Sequence, residues 1–181
     1  MVPKDPPRPE EAFFRADQLI EEGKIAEAAV ILFKLVADFP DYGRAYNHLG
    51  YIYETKYREN QKAEAYYKKC LELSPEYPAI YLNYAILLSA QGRGEELLAL
   101  LKAGLACPGI NQAKIHNEFG IYYESSGKFE TAIESYKTAV RLSFVDADIS
   151  AYHNSIRRVR EKQAILEEKS DYFGGPDPLA N

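Results

Sequence analysis

Residues 116–140 read HNEFGIYYESSGKFETAIESYKTAV, and this stretch decides the fold. His116, Phe119 and Tyr123 stand three and four residues apart, and Ala132 and Tyr136 repeat that spacing further on. Such spacing lays one apolar stripe along each of two helices. Gly127 falls between them, where a short turn favours a residue that accepts positive φ. Gly120 occupies the place where the two helices approach closely, and a larger side chain there would push them apart. The stretch therefore reads as a helical hairpin.

The same pattern recurs along the chain. A second copy carries YNHLGYIY at 46–53 and AEAYYKKCLELSP at 63–75. Aligned on these, four segments of 34 or 35 residues run over 9–42, 43–77, 78–112 and 113–146, about three quarters of the chain. Their fourth positions hold Ala12, Tyr46, Tyr81 and His116. The eighth hold the small residues Ala16, Gly50, Ala85 and Gly120, and the eleventh Leu19, Tyr53, Leu88 and Tyr123. Ala28, Ala63, Leu97 and Ala132 share the twentieth position once one inserted residue is allowed in the second segment. The second helices are expected to bury Leu32, Tyr67, Leu101 and Tyr136. Gly23 and Gly92 mark turns like that of Gly127, and Pro40, Pro75 and Pro108 mark exits, with Phe144 at the fourth exit.

The ends read differently. Residues 1–8 form a proline-rich arm. Residues 147–169 read as a C-terminal capping helix, with an apolar seam of Ile149, Tyr152, Ile156, Val159, Gln163 and Leu166. A repeat array needs such a helix to cover its last unit. The competing reading of the seam is self-association through Tyr152, Ile156 and Val159, giving a homo-oligomer. Residues 170–181 read as a flexible tail in which Tyr172 and Phe173 contact the capping helix or dock into a groove.

Composition narrows the classes of function. With 46% hydrophobic and 27% charged residues among 181, the bulk of the chain should fold. A formal net charge of −5 argues against a broad nucleic-acid-binding surface. Arg157, Arg158 and Arg160 are followed by Glu161, Glu167 and Glu168, which reads as a solvated helix face with i, i+4 pairs. Cys70 and Cys107 lack CxxC or Cys/His spacing. His48, His116 and His153 stand apart and none belongs to HExxH, so no metal, cofactor or catalytic residue is expected. Glu118 and Glu124 read as solvated charges. The sequence shows no signal h-region and no membrane-spanning run. The expected setting is cytoplasmic without membrane insertion, or periplasmic or tethered if a signal or anchor precedes the chain.

The aromatic, Leu-Gly, Tyr, Ala and Pro pattern of the quoted segments resembles the tetratricopeptide repeat. The third segment departs most, with Leu97 and Gly104 where alanine is usual and the irregular exit CPGINQ. The resemblance implies an all-α, right-handed superhelix of antiparallel helix pairs. Its first helices would line a concave groove that usually binds peptides. Mapped onto this sequence, the groove would take Phe13, Phe14, Asp17 and Glu21 from the first repeat, and Arg44, Asn47, His48, Tyr51 and Glu54 from the second. It would continue with Leu82, Asn83 and Ile86, then Lys114, Asn117, Glu118, Ile121 and Glu124. Asn47, Asn83 and Asn117 are expected to hold an extended peptide backbone, since an amide both donates and accepts. Tyr51, Leu82, Ile86 and Ile121 would bury apolar groups. The other reading of the asparagines is that they bond neighbouring helices. The carboxylate clamp found in some relatives is not matched: only Asn83 and Lys114 agree, and Glu118 would repel a carboxylate. The expected function is a non-catalytic interaction module or scaffold for a protein or peptide partner. The alternatives are a self-assembling structural protein or a small chaperone for a secretion or pilus component.

Overall fold

The computed structural model describes residues 8–173, with side chains as far as residue 167. Its helices are α1 Pro9–Glu21, α2 Ile25–Asp38, α3 Gly43–Ile52, α4 Asn60–Leu73, α5 Pro78–Ala90, α6 Gly94–Leu105, α7 Gln112–Ser125, α8 Phe129–Leu142 and α9 Asp146–Phe173. No strand occurs among the described residues. The architecture is that of an all-α helical repeat solenoid. It divides into two compact units, Met1–Ile110 and Asn111–Asn181.

In the first unit, α1 pairs with α2, α3 with α4, and α5 with α6. The turns explain the pairing. Gly23 and Gly92 adopt φ of +76° and +69°. The N–H of the following residue reaches back five residues to the eleventh position: Lys24 to the Leu19 carbonyl at 2.8 Å, and Arg93 to that of Leu88 at 3.0 Å. This is the left-handed helix stop that satisfies the last carbonyls and reverses the chain.

The second repeat makes the same turn with one more residue. Past Ile52 the backbone opens into a π-helical turn, Tyr53–Tyr57, in which the Thr55 hydroxyl donates to the Tyr51 carbonyl at 2.8 Å. Arg58 takes the left-handed conformation, φ 59°, that glycine takes elsewhere. Glu59 then closes on the Tyr53 carbonyl, six residues back rather than five, at 2.9 Å. A π turn absorbs an inserted residue without breaking the helix.

Ala16, Leu19, Ala28, Leu32, Leu35, Ala45, Leu49 and Ile52 form the core around the first three helices. Full burial of a leucine such as Leu32 contributes roughly 1.5–3 kcal/mol. The fourth-position tyrosines tie each repeat to the exit before it. Tyr46 donates to the Pro40 carbonyl at 2.9 Å, and Tyr81 to that of Pro75 at 2.7 Å.

In the second unit, α7 pairs with α8 through a Gly127 turn of φ +70°, and α9 packs on α8. Ile156 and Val159 bury against Ala132 and Tyr136, while Tyr152 buries against Ala113 and Ala139. The α9 backbone stays helical to Phe173, beyond the expected end at 169, because no glycine or proline intervenes before Gly174. The expected tail at 170–181 is thus helical in its first part. Residues 1–7 and 174–181, and the side chains of Tyr172 and Phe173, lie outside the described residues.

Candidate peptide-binding site

In the first unit the first helices of three successive repeats line an open cavity of about 270 Å³. Helix α1 contributes Asp17 and Ile20, and α3 contributes Asn47, His48 and Tyr51. Ala79 and Asn83 come from α5, and Tyr77 from the turn before it. The helical groups are placed by periodicity: the eighth-position small residues and their stripe face the partner helix, so positions about half a turn away line the opposite face.

His48 is 8% exposed, with Nε2 at 2.9 Å from Asp17 Oδ1 and its ring edge-on to Phe13 at 4.6 Å between centroids. With Nε2–H donating, Nδ1 is the bare nitrogen, and it has no hydrogen-bond partner among the described residues. Tyr77 has its phenol pushed up to about 12, first by burial and then by the Asp17 charge. Arg44 rests over the Tyr77 ring, 5.5 Å from its centroid.

Several expected groove residues have other tasks. Asn47 is only 2% exposed, and its Oδ1 accepts from Asn83 Nδ2 at 3.1 Å. This pair joins α3 to α5, as the alternative reading of the asparagines has it, and Asn47 has little surface left for a peptide. Phe13 is a core residue. Tyr51 and Asn83 line the cavity, Leu82 is half-buried and Ile86 is exposed. Ile20, Tyr77 and Ala79 complete the wall and escaped the sequence reading; an aromatic residue just ahead of a helix-opening proline was the available signal for Tyr77.

The remaining residues belong to the second unit. Lys114 is exposed, and Asn117 donates to Glu118 Oε1 at 3.1 Å. Burial pushes the Glu118 carboxyl up, opposed by the Asn117 bond. Ile121 packs against the core of Ala132, Tyr136, Ile156 and Val159. Glu124 is not a solvated charge. Its side chain is 8% exposed and accepts from Tyr136 at 2.9 Å, Arg158 at 2.7 Å and Lys162 at 2.6 Å. Arg158 foremost, against the opposing effect of burial, holds its carboxyl down at about 2. Arg158 is correspondingly held in a pair across helices, whereas Arg157 faces Glu161 along α9 at 4.0 Å. Tyr152, Ile156 and Val159 are buried in the unit's own core.

Other chemistry is sparse. No group of three metal-ligating side chains occurs among the described residues. Cys70 and Cys107 are free and buried, with the Cys70 thiol pushed up to about 12 by burial. No helix among the described residues is long and apolar enough to cross a membrane.

Paired helices, small residues at their contact and a recurring left-handed stop define a helical repeat protein of the interaction-scaffold class. Tetratricopeptide repeat family models match residues 54–107 and 113–146, and these parts of the chain are tetratricopeptide repeats. No curated protein sequence matches it. Among solved structures it is similar to PilF of Pseudomonas aeruginosa, at 18% identity and a TM-score of 0.77 over 91% of this chain and 72% of that one. It is similar to MamA, residues 41 to the end, of Desulfovibrio magneticus RS-1, at 18% identity and a TM-score of 0.71 over 91% and 90%. It also resembles a thermophilic tetratricopeptide repeat protein of Thermus thermophilus, TTC0263, at 23% identity and a TM-score of 0.65 over 84% and 83%. At these identities the likeness is one of fold.

Proposed function

We propose that the chain is a non-catalytic interaction module that takes a peptide segment or helix of a protein partner on the first-helix face of its first unit. The cavity bounded by α1, α3 and α5 carries this reading, because it offers a recess beside aromatic and amide groups on helices held rigid by their own packing. Asn83 and Tyr51 supply the polar and apolar contacts, and Ile86, 54% exposed, extends the apolar surface along α5. A fully buried group the size of leucine contributes roughly 1.5–3 kcal/mol there, and each amide bond about 1 kcal/mol.

The experiment is affinity capture from the source organism with three baits: the intact chain, a Tyr51→Ala/Ile86→Arg variant, and a Phe33→Arg variant altered on the exposed side of α2. The reading expects a partner held by the intact chain and the Phe33 variant and lost by the Tyr51/Ile86 variant. A partner lost only by the Phe33 variant would place binding on the second helices and overturn it.

A further inference from the structure

The cavity of the first unit has a carboxylate on its wall and no lysine or arginine among its lining residues. Two more deeply buried carboxylates in the protein are treated differently. Glu64 is bonded by Arg93 and Lys68, and Glu124 by Arg158 and Lys162. Asp17 has His48 as its only ion-pair partner among the described residues, and its side chain remains 47% exposed.

His48 completes the geometry from one side. Its Nε2–H satisfies one Asp17 oxygen. A second ring proton, on Nδ1, would sit in a buried place with no acceptor among the described residues. One Asp17 oxygen is thus engaged by His48, and no hydrogen bond among the described residues engages the other. The Tyr77 phenol registers that field, since the Asp17 charge adds to burial in pushing it up. Beside the carboxylate stand the rings of Tyr51 and Tyr77, and a tyrosine face attracts a cation. Arg44 shows this on the Tyr77 ring, where the chain's own guanidinium rests.

We propose that this cavity takes a basic side chain of the partner, an arginine or lysine whose charged head meets Asp17 and whose methylene stem lies against Tyr51 and Tyr77. The proposal rests on the reading of this face as a peptide site and adds the chemistry of the residue that enters it. A chain of net charge −5 also draws a basic segment from a distance.

The test uses the full chain and three pentapeptides: acetyl-Ala-Ala-Arg-Ala-Ala-amide, its lysine version, and its citrulline version, which keeps the arginine shape without the charge. Binding is followed by nuclear magnetic resonance at the Asn83 side-chain amide and the Ala79 methyl. Saturable shifts are expected for arginine and lysine, with affinity for citrulline at least about ten-fold weaker. Asp17→Asn, which keeps an oxygen for His48, is expected to abolish the preference for arginine over citrulline. The proposal is overturned if citrulline binds the intact chain as tightly as arginine, if folded Asp17→Asn keeps the preference, or if neither basic peptide gives saturable shifts. Equal binding of all three peptides would leave the peptide site standing and remove its charge selectivity. Failure of the Tyr51/Ile86 capture experiment would instead remove the site itself.

Discussion

The Tyr136 hydroxyl donates to the Glu124 carboxylate at 2.9 Å, tying the second helix of its repeat to the first. Tyr67 and Glu54 form the same bond in the second repeat at 2.6 Å. In both repeats the eighth position is glycine, and a Cβ on Gly50 or Gly120 would overlap the tyrosine ring. The other two repeats combine Ala16 with Leu32 and Ala85 with Leu101, and carry Ile20 and Ser89 where the glutamates stand. One helix contact thus has two solutions, Gly with Tyr and Glu, or Ala with Leu.

The two solutions should not mix. Gly120→Ala is expected to cost about 1–3 kcal/mol by overpacking against the Tyr136 ring. Adding Tyr136→Leu should recover at least about 1 kcal/mol of the summed losses, measured by urea denaturation in a double-mutant cycle. Additive losses would show that ring and glycine are not coupled.

Acid should weaken the protein through Glu64 and Glu124, whose carboxyls are both held at about 2, against an ordinary value of 4.5. Because the folded value is depressed, their contribution is complete above pH 4.5 and disappears as pH falls toward 2. About 2 kcal/mol per carboxyl is expected, discounted for the half-exposed Arg158 and Lys162 around Glu124. In urea melts at a series of pH values, Glu124→Gln should be less stable than the parent at pH 7 and decline less steeply below pH 5. Parallel declines would contradict the assignment.

Arg58 holds a left-handed conformation that disfavours any residue with a Cβ. Arg58→Gly should therefore raise stability by about 0.5–1 kcal/mol, read from the thermal midpoint. A loss would mean that the Arg58 side chain contributes more than its backbone strain costs.

Val159 is fully buried between α8 and α9, so Val159→Glu should destabilise the second unit by more than about 3 kcal/mol. Circular dichroism and limited proteolysis should show partial unfolding. A folded variant of lower mass in sedimentation would instead make this residue part of a seam between copies.

The helix pairs were legible in the sequence because small residues, turn glycines and exit prolines repeat in step. The extra residue of the second repeat was visible too, but not its form as a π turn, which depends on the Thr55 bond to the Tyr51 carbonyl. Side-chain bonding across helices was the least legible part. Asn47 stands at the fifth position of its repeat and Asn83 at the sixth, and the bond that ties them across α3 and α5 depends on how deeply each packs, which spacing does not carry. Glu124 read as a surface charge because its partners lie 34 and 38 residues further on. Of the cavity itself, Tyr51, His48, Asp17 and Asn83 followed from repeat position, whereas Tyr77 comes from a turn.

The most direct test of the peptide site is site-specific photo-crosslinking in the full chain, with benzophenone-alanine placed at Ile86 or at Phe33. The account predicts that the captured partner forms a covalent adduct from position 86 and not from position 33, with the adduct falling within one segment of the partner. An adduct from position 33 alone would contradict it.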